Sequence, residues 1–374
     1  MAETPLEYVL TRLAGGEAPG AGFVQWEALD CRAAEHRLQP LLHHLHAGAE
    51  SIPTLIRATW ARAHREAAIM ALQQRRELLQ LAERLELHGL PFLALKGAWL
   101  AWHAWPDAAL RPLRDLDLWL PGTSALAARE VLLREGWVQE AAQGFDRLGP
   151  QQWLARFKAL PPLVSPDRVM LDLHAQLWDD HGRAKPPGDV MERAVTDADY
   201  PALRYPGPVD QLMHLAVHAT FHRFDGGPLM LHDFAYLLRR VDFDWPRVWS
   251  RAGAESWQLH LALCLAGARE WSGVDAPWPE LPVAVPRELV ERLPLLLAKP
   301  HAAREGDIAA AKAVGGGRGL ADRLSRMAAR RERYHSLRSY VGWVAQEAAG
   351  ALRSTLGSRE RIATFAALDE YLAR

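Results

Sequence analysis

An α/β (α+β) chain is expected here: a small mixed sheet, wrapped by N-terminal helices and followed by a helical C-terminal domain. Three observations predict it. Three apolar runs of strand length, at 92–95, 115–120 and 168–177, lie close together in the chain. A long helical pattern at 53–88 leads straight into the first of them, and beyond about residue 208 the pattern is helical almost throughout. The expected division is an N-terminal helical segment over 1–88, a core over 89–181 and a helical C-terminal domain over 182–374.

At the N-terminus, Leu6, Val9, Leu10 and Leu13 recur at helical spacing until Gly15-Gly16. A second helical stretch runs through residues 23–48, interrupted at Pro40. The helix at 53–88 is expected to bury a stripe of Leu55, Ile69, Leu72, Leu79, Leu81 and Leu85 and to pack across the sheet. His88-Gly89 with Pro91 beyond is a helix stop. Phe92–Leu95 then reads as a strand ended by Lys96-Gly97, and a Trp-rich segment leads to Arg111-Pro112. After the next apolar run, Pro121-Gly122 turns the chain, and Thr123 or Ser124 can cap a helix to about Glu135. A short strand at Trp137–Glu140, a helix at 144–160 and a strand at 168–177 follow. Gly, Pro and charge mark 182–208 as a connection. Helices are then expected from 209, from 229, and over 254–271, 286–298 and 319–372.

Composition narrows the class. With 24% charged residues and a formal net charge of −1, the chain lacks the basic excess of a general nucleic-acid binder. Cys31 and Cys264 have neither metal nor disulfide spacing, which suits a reducing compartment. No basic segment followed by a long apolar one opens the sequence, and no run of about 18 apolar residues occurs. A cytoplasmic protein without a membrane span is expected.

The chemistry concentrates in residues 92–120. Side chains alternate along a strand, so Asp115 and Asp117 project together while Leu116 and Leu118 point inward. Two such carboxylates, about 6–7 Å apart, can converge on divalent ions held roughly 3.5–4 Å apart. Residues 168–177 add a third acid, with Met170, Asp172 and His174 on one face and Val169, Leu171 and Leu173 on the other. Carboxylates among strong apolar neighbours need something positive beside them. A two-metal phosphoryl-transfer site meets that need with hard oxygen ligands for Mg²⁺. Gly97 would let backbone N–H groups approach phosphates at the start of the next helix, with Lys96 as a point charge and Arg111 as a forked donor. The competing reading has the acids capping turns or pairing with Arg111 and Arg114.

The stretch LALKGAWLAWHAW…LRPLRDLDLWL, with LDLHAQLW downstream, resembles a bacterial nucleotidyltransferase family usually described as uncharacterised, within the DNA polymerase beta-like nucleotidyltransferase superfamily. The resemblance covers roughly residues 40–240. It implies a small mixed-sheet nucleotidyltransferase core, and transfer of a nucleoside monophosphate from an NTP to an acceptor with release of pyrophosphate. It also implies two Mg²⁺ ions, with Mn²⁺ an alternative, held by Asp115 and Asp117. Asp172 would be the third acid, as metal ligand or base, and Lys96 and Gly97 would occupy the phosphate-loop position. The wider superfamily usually has Gly-Ser at that loop where this chain has Lys-Gly, and Trp119 stands where an aliphatic residue is expected. A tRNA end, a protein or peptide hydroxyl, or a small molecule can each be the acceptor. Kinase-like phosphotransfer and non-catalytic nucleotide binding are the alternatives.

The remaining candidates are weaker signals. His174 either contacts phosphate or a ligand, or is a core histidine bonded to backbone. His214, His218 and His222 share a helix face, but their ends lie about 12 Å apart, too far for one zinc; His218 is the one expected to line a nucleotide cleft. Asp233 is expected to cap or to pair with Arg239. His43, His44 and His46 are expected to pack or face solvent, and Asp179-Asp180-His181 to be solvated. The Arg-rich segment 318–338 is expected to be a solvated helix face, the alternative being a helix that holds an acidic acceptor or RNA phosphates.

Overall fold

The structure, a computed structural model, describes residues 5–20, 22–142, 144–177, 189–303 and 359–374. It is α+β, as expected. Alternation sorts the apolar residues of the first strand, β1 (Leu93–Ala94), onto two sides: Leu93 and Leu95 enter one core, Phe92 and Ala94 another. The next strand, β2 (Leu116–Trp119), buries Leu116, Leu118 and Leu120 in that second core and turns its acids to the opposite face. Strands β3 (Val138–Gln139), β4 (Leu163–Val164) and β5 (Met170–His174) complete a five-stranded sheet of order β1-β2-β5-β4-β3. Only β2 and β5 pair in parallel; the other three pairings are antiparallel. The parallel pairing aligns Asp117 with Asp172 and Trp119 with His174.

Helices enclose the sheet. Before it come α1 (Leu6–Ala14), α2 (Trp26–Glu35), α3 (Gln39–His46) and α4 (Thr54–Leu87). Within it lie a short α5 (Gly97–Trp99) running into a π-helical stretch (Leu100–Ala104), then α6 (Ser124–Arg134) and α7 (Phe145–Leu154), kinked at Gly149-Pro150. After it come a two-stranded sheet, β6 (Val195–Thr196) with β7 (Arg204–Tyr205), and helices α8 (Pro208–Phe221), α9 (Leu229–Arg240), α10 (Trp245–Ala254), α11 (Gln258–Trp271), α12 (Arg287–Leu297) and α13 (Arg359–Leu372). Helix α10 and the β6–β7 pair were not expected. No helix among the described residues is long and apolar enough to cross a membrane.

Two apolar cores result among the described residues. One joins α1–α3 to the C-terminal helices, and the other lies under the sheet with α6. The 34-residue α4, about 50 Å long, serves both: Ile56 and Trp60 enter the first, while Leu78, Leu81, Ala82 and Leu85 enter the second. The stripe expected for this helix is therefore corrected in its first half. Leu55, Ile69 and Leu72 are 76%, 68% and 64% exposed, because the helix changes partner midway and its buried side rotates to Ala71 and Gln74. Of the three N-terminal histidines, His46 is buried and bonds the Leu13 carbonyl at 2.7 Å, a packing role. Asp179-Asp180-His181 and the segment 318–338 lie outside the described residues.

The corrected face of α4 makes a direct prediction. Leu81→Ala should cost about 2–5 kcal/mol and Leu72→Ala no more than about 0.5 kcal/mol, read from chemical denaturation of the two variants.

Candidate active site

The sheet face opposite the second core forms one wall of a cavity of about 360 Å³. Asp117 and Asp172 stand side by side there because the parallel register aligns them. Asp115 lines the same cavity just before β2. The end of β1 is tied to this point by the Leu95 amide, which donates to the Asp117 carbonyl at 2.9 Å. That bond delivers Lys96 to the carboxylates: its Nζ lies 3.0 Å from Asp117 Oδ1. Lys96 has φ +49° and ψ −116°, a conformation rarely adopted by residues other than glycine, so the turn holds its backbone under strain.

Asp117 Oδ1 also accepts from His174 Nε2 at 2.8 Å. Ligand atoms of Asp117, Asp172 and His174 all fall within 4.8 Å of one another. Burial works against ionising Asp117, but Lys96 and His174 outweigh it and hold its carboxyl well below the usual range. Asp172 goes the other way. Burial, then the neighbouring Asp117 and Asp115, push it up to about 7. Burial and Asp117 also raise Asp115. The Oδ1 of Asp172 is buried without a hydrogen-bond partner, and such an acceptor calls for an explanation. A divalent cation among these oxygen and nitrogen donors is one that fits: it would satisfy the orphaned oxygen and offset the crowding of negative charge.

Arg111 proves to be held in place from outside the sheet. Its Nε and Nη2 make a fork to Asp233 on α9, at 2.9 and 2.7 Å, and the Trp105 indole donates to the same carboxylate at 2.8 Å. Asp233 is 2% exposed. The expected pairing of Asp233 with Arg239 is thus corrected, since a carboxylate buried this deeply takes the planar donor that reaches it from the sheet side. Gly97 makes room for this arrangement. A Cβ there would come within 2.3 Å of Leu113 Cδ2 and 2.5 Å of Arg111 Nη1. The buried Gln74 of α4 donates to the Leu113 carbonyl at 3.2 Å, which fixes the loop ahead of Asp115.

The opposite wall comes from α8, α9 and the turn between them. His218 and His222 line the cavity, with ring centroids 4.5 Å apart, beside Leu215, Leu229, Met230 and Phe234. Burial, then the charge of Lys96, keeps His218 and the deeper His214 well below the usual imidazole range, so both are neutral at pH 7. His214 is buried and does not line the cavity.

The structure therefore gathers Lys96, Gly97, Arg111, Asp115, Asp117, Asp172, His174 and His218 into one cavity. It adds Arg37, Lys158 and Asp225, which sequence reasoning did not place there, and Arg114, which it named only as a pairing partner of the acids. Lys158 arrives by backbone pairing: its carbonyl accepts from Ala175 and Gln176, just past His174. Asp225 is anchored by the buried Lys299, 3.0 Å away, whose ammonium lies over the Phe365 ring of α13. Arg37, Lys158 and Asp225 carried no motif signal, because each is isolated in sequence from the residues it joins.

Comparison with known families matches residues 23–273, about two thirds of the chain, to the family described as uncharacterised nucleotidyltransferase. No curated protein matches the chain. Every cavity-lining residue named above falls within the matched span. The chain belongs to this nucleotidyltransferase family.

Proposed function

We propose that the protein transfers a nucleoside monophosphate from an NTP to an acceptor hydroxyl or phosphate, with Asp115, Asp117 and Asp172 as its acidic centre. The observation that carries this reading is the alignment of Asp117 with Asp172 across a parallel strand pair, beside Lys96 and within one cavity. Membership of a nucleotidyltransferase family supports the reaction class.

In this reading Asp117 and Asp172, with Asp115 at the edge, hold divalent metal, Mg²⁺ or Mn²⁺. When bound, the metal neutralises triphosphate charge and orients the reacting oxygens. Lys96, now paired with Asp117, is positioned to turn to the phosphates as a point charge. Arg111 is kept rigid by the Asp233 fork, so its remaining edge is pre-oriented over Gly97 and costs little ordering when substrate arrives. Asp172, buried beside two other acids, takes the proton of an acceptor hydroxyl. The acceptor oxygen bonds to the α-phosphorus, the bond from that phosphorus to the bridging oxygen breaks, and pyrophosphate departs. The apolar side of the cavity, with the neutral His218, offers a surface for the nucleotide base. Arg37, Arg114 and Lys158 give the mouth a cationic character suited to an NTP and to a polar acceptor.

The test uses α- and γ-labelled ATP, GTP, CTP and UTP with Mg²⁺ and a cell extract. Label from the α position is expected in an acceptor, with one pyrophosphate released per transfer. Label transferred only from the γ position would replace this reading with phosphotransfer. Metal-dependent nucleotide binding with neither transfer nor pyrophosphate release would replace it with a binding function.

Two variants probe the machinery. Asp117→Asn should lower turnover by at least about a hundredfold while circular dichroism stays unchanged. Asp233→Ala should destabilise the fold by about 3 kcal/mol in denaturant titrations, because it leaves the half-buried Arg111 cation without its carboxylate.

A further inference from the structure

The ligand set of three aspartates leaves His174 out, and the geometry brings it in. The Asp117 Oδ1 to His174 Nε2 separation is 2.8 Å. Adjacent ligands of an octahedral ion, each about 2.1 Å from it, are about 3 Å apart. The spacing suits a shared cation as well as it suits a hydrogen bond. The three-residue group within 4.8 Å comprises Asp117, Asp172 and His174, and does not include Asp115.

His174 is also rigidly presented. It is 4% exposed, pairs with Trp119 across β2, and bridges to Ala159 on the other side. A ligand on a central strand is held more closely than one on a loop. Its Nδ1 is buried and has no hydrogen-bond partner, as is Asp172 Oδ1. Asp172, with its orphaned oxygen, belongs to the group of donors that converges here. Lys96 Nζ, 3.0 Å from the same Asp117 oxygen, already places a positive charge against that oxygen.

We infer, building on the proposed nucleotidyl transfer, that His174 is itself a metal ligand beside Asp117 and Asp172, and that this mixed donor set favours Mn²⁺ over Mg²⁺. Mg²⁺ is bound almost wholly through oxygen, whereas imidazole suits first-row transition ions. Ligation through Nε2 requires that nitrogen to give up its proton. The proton it shares with Asp117 in the metal-free protein is carried instead on Nδ1, so the ring stays neutral and its proton count does not change.

The test is spectroscopic and needs no turnover. Mn²⁺ is titrated into the full chain with and without UTP, whose pyrimidine ring lacks the purine N7, and pulsed electron paramagnetic resonance records couplings to nitrogen. A ¹⁴N coupling is expected, converting to ¹⁵N in protein grown with [¹⁵N]histidine, a check that requires no substitution. His174→Asp, which keeps a ligand at the position, should lose the coupling and lower the ratio of Mn²⁺ to Mg²⁺ affinity by about tenfold. Bound Mn²⁺ without a histidine coupling, or a coupling that survives in His174→Asp, overturns the assignment and leaves the carboxylate centre standing. Absence of Mn²⁺ binding in both conditions overturns the assignment together with the metal-dependent function on which it rests.

Discussion

The structure turns on one pairing: β2 beside β5 in parallel, in the register that sets Asp117 against Asp172. Like charges directly opposite on neighbouring strands repel, and here they do so on a half-buried face. The fold answers with an asymmetry. Asp117 takes both the Lys96 ammonium and the His174 imidazole on one oxygen, while Asp172 keeps a buried oxygen with no partner. One acid is thus firmly ionised and the other is pushed up to about 7. A pair of acids driven apart in this way is a common mark of a working site. Apolar packing explains why the strands exist. It does not explain why the acids are there.

The helical part of the molecule makes that face into a cavity. Asp233 reaches from α9 to clamp Arg111 and Trp105, so a buried fork joins the C-terminal helices to the Trp-rich segment between β1 and β2. Helix α4 links the two cores, and Gln74 steadies the loop from which Asp115 emerges. The cavity is therefore walled by residues that belong to different parts of the chain but are mutually fixed. Preorganisation of this kind is what a charge-stabilising site requires.

Much of this was legible in the chain. The strands at 115–120 and 168–177 were readable because apolar residues alternate along them with the acids, and the run 92–95 because it is apolar throughout and buried on both faces. The acids stood out against that pattern, and the Lys-Gly turn marked the end of β1. What could not be read was long-range. Arg111 and Asp233 are bidentate partners separated by 122 residues, and no local pattern records such a pair. Lys158 enters through its backbone, and Arg37 and Asp225 come from loops remote in sequence. The first half of the α4 stripe was misread because a helix that changes partner carries no single stripe: Leu72 looks like core by type and is exposed by position.

The central claim is that Asp117 and Asp172 are brought together to receive a divalent cation. Thermal melting in rising MnCl₂, with a non-hydrolysable NTP present, tests it most directly, because a ligand that binds only the folded state raises its melting temperature. The wild-type protein should melt at progressively higher temperature as Mn²⁺ increases, and the Asp117→Asn/Asp172→Asn double variant should not respond. A wild-type melting temperature indifferent to Mn²⁺, or an equal rise in the double variant, would contradict the account.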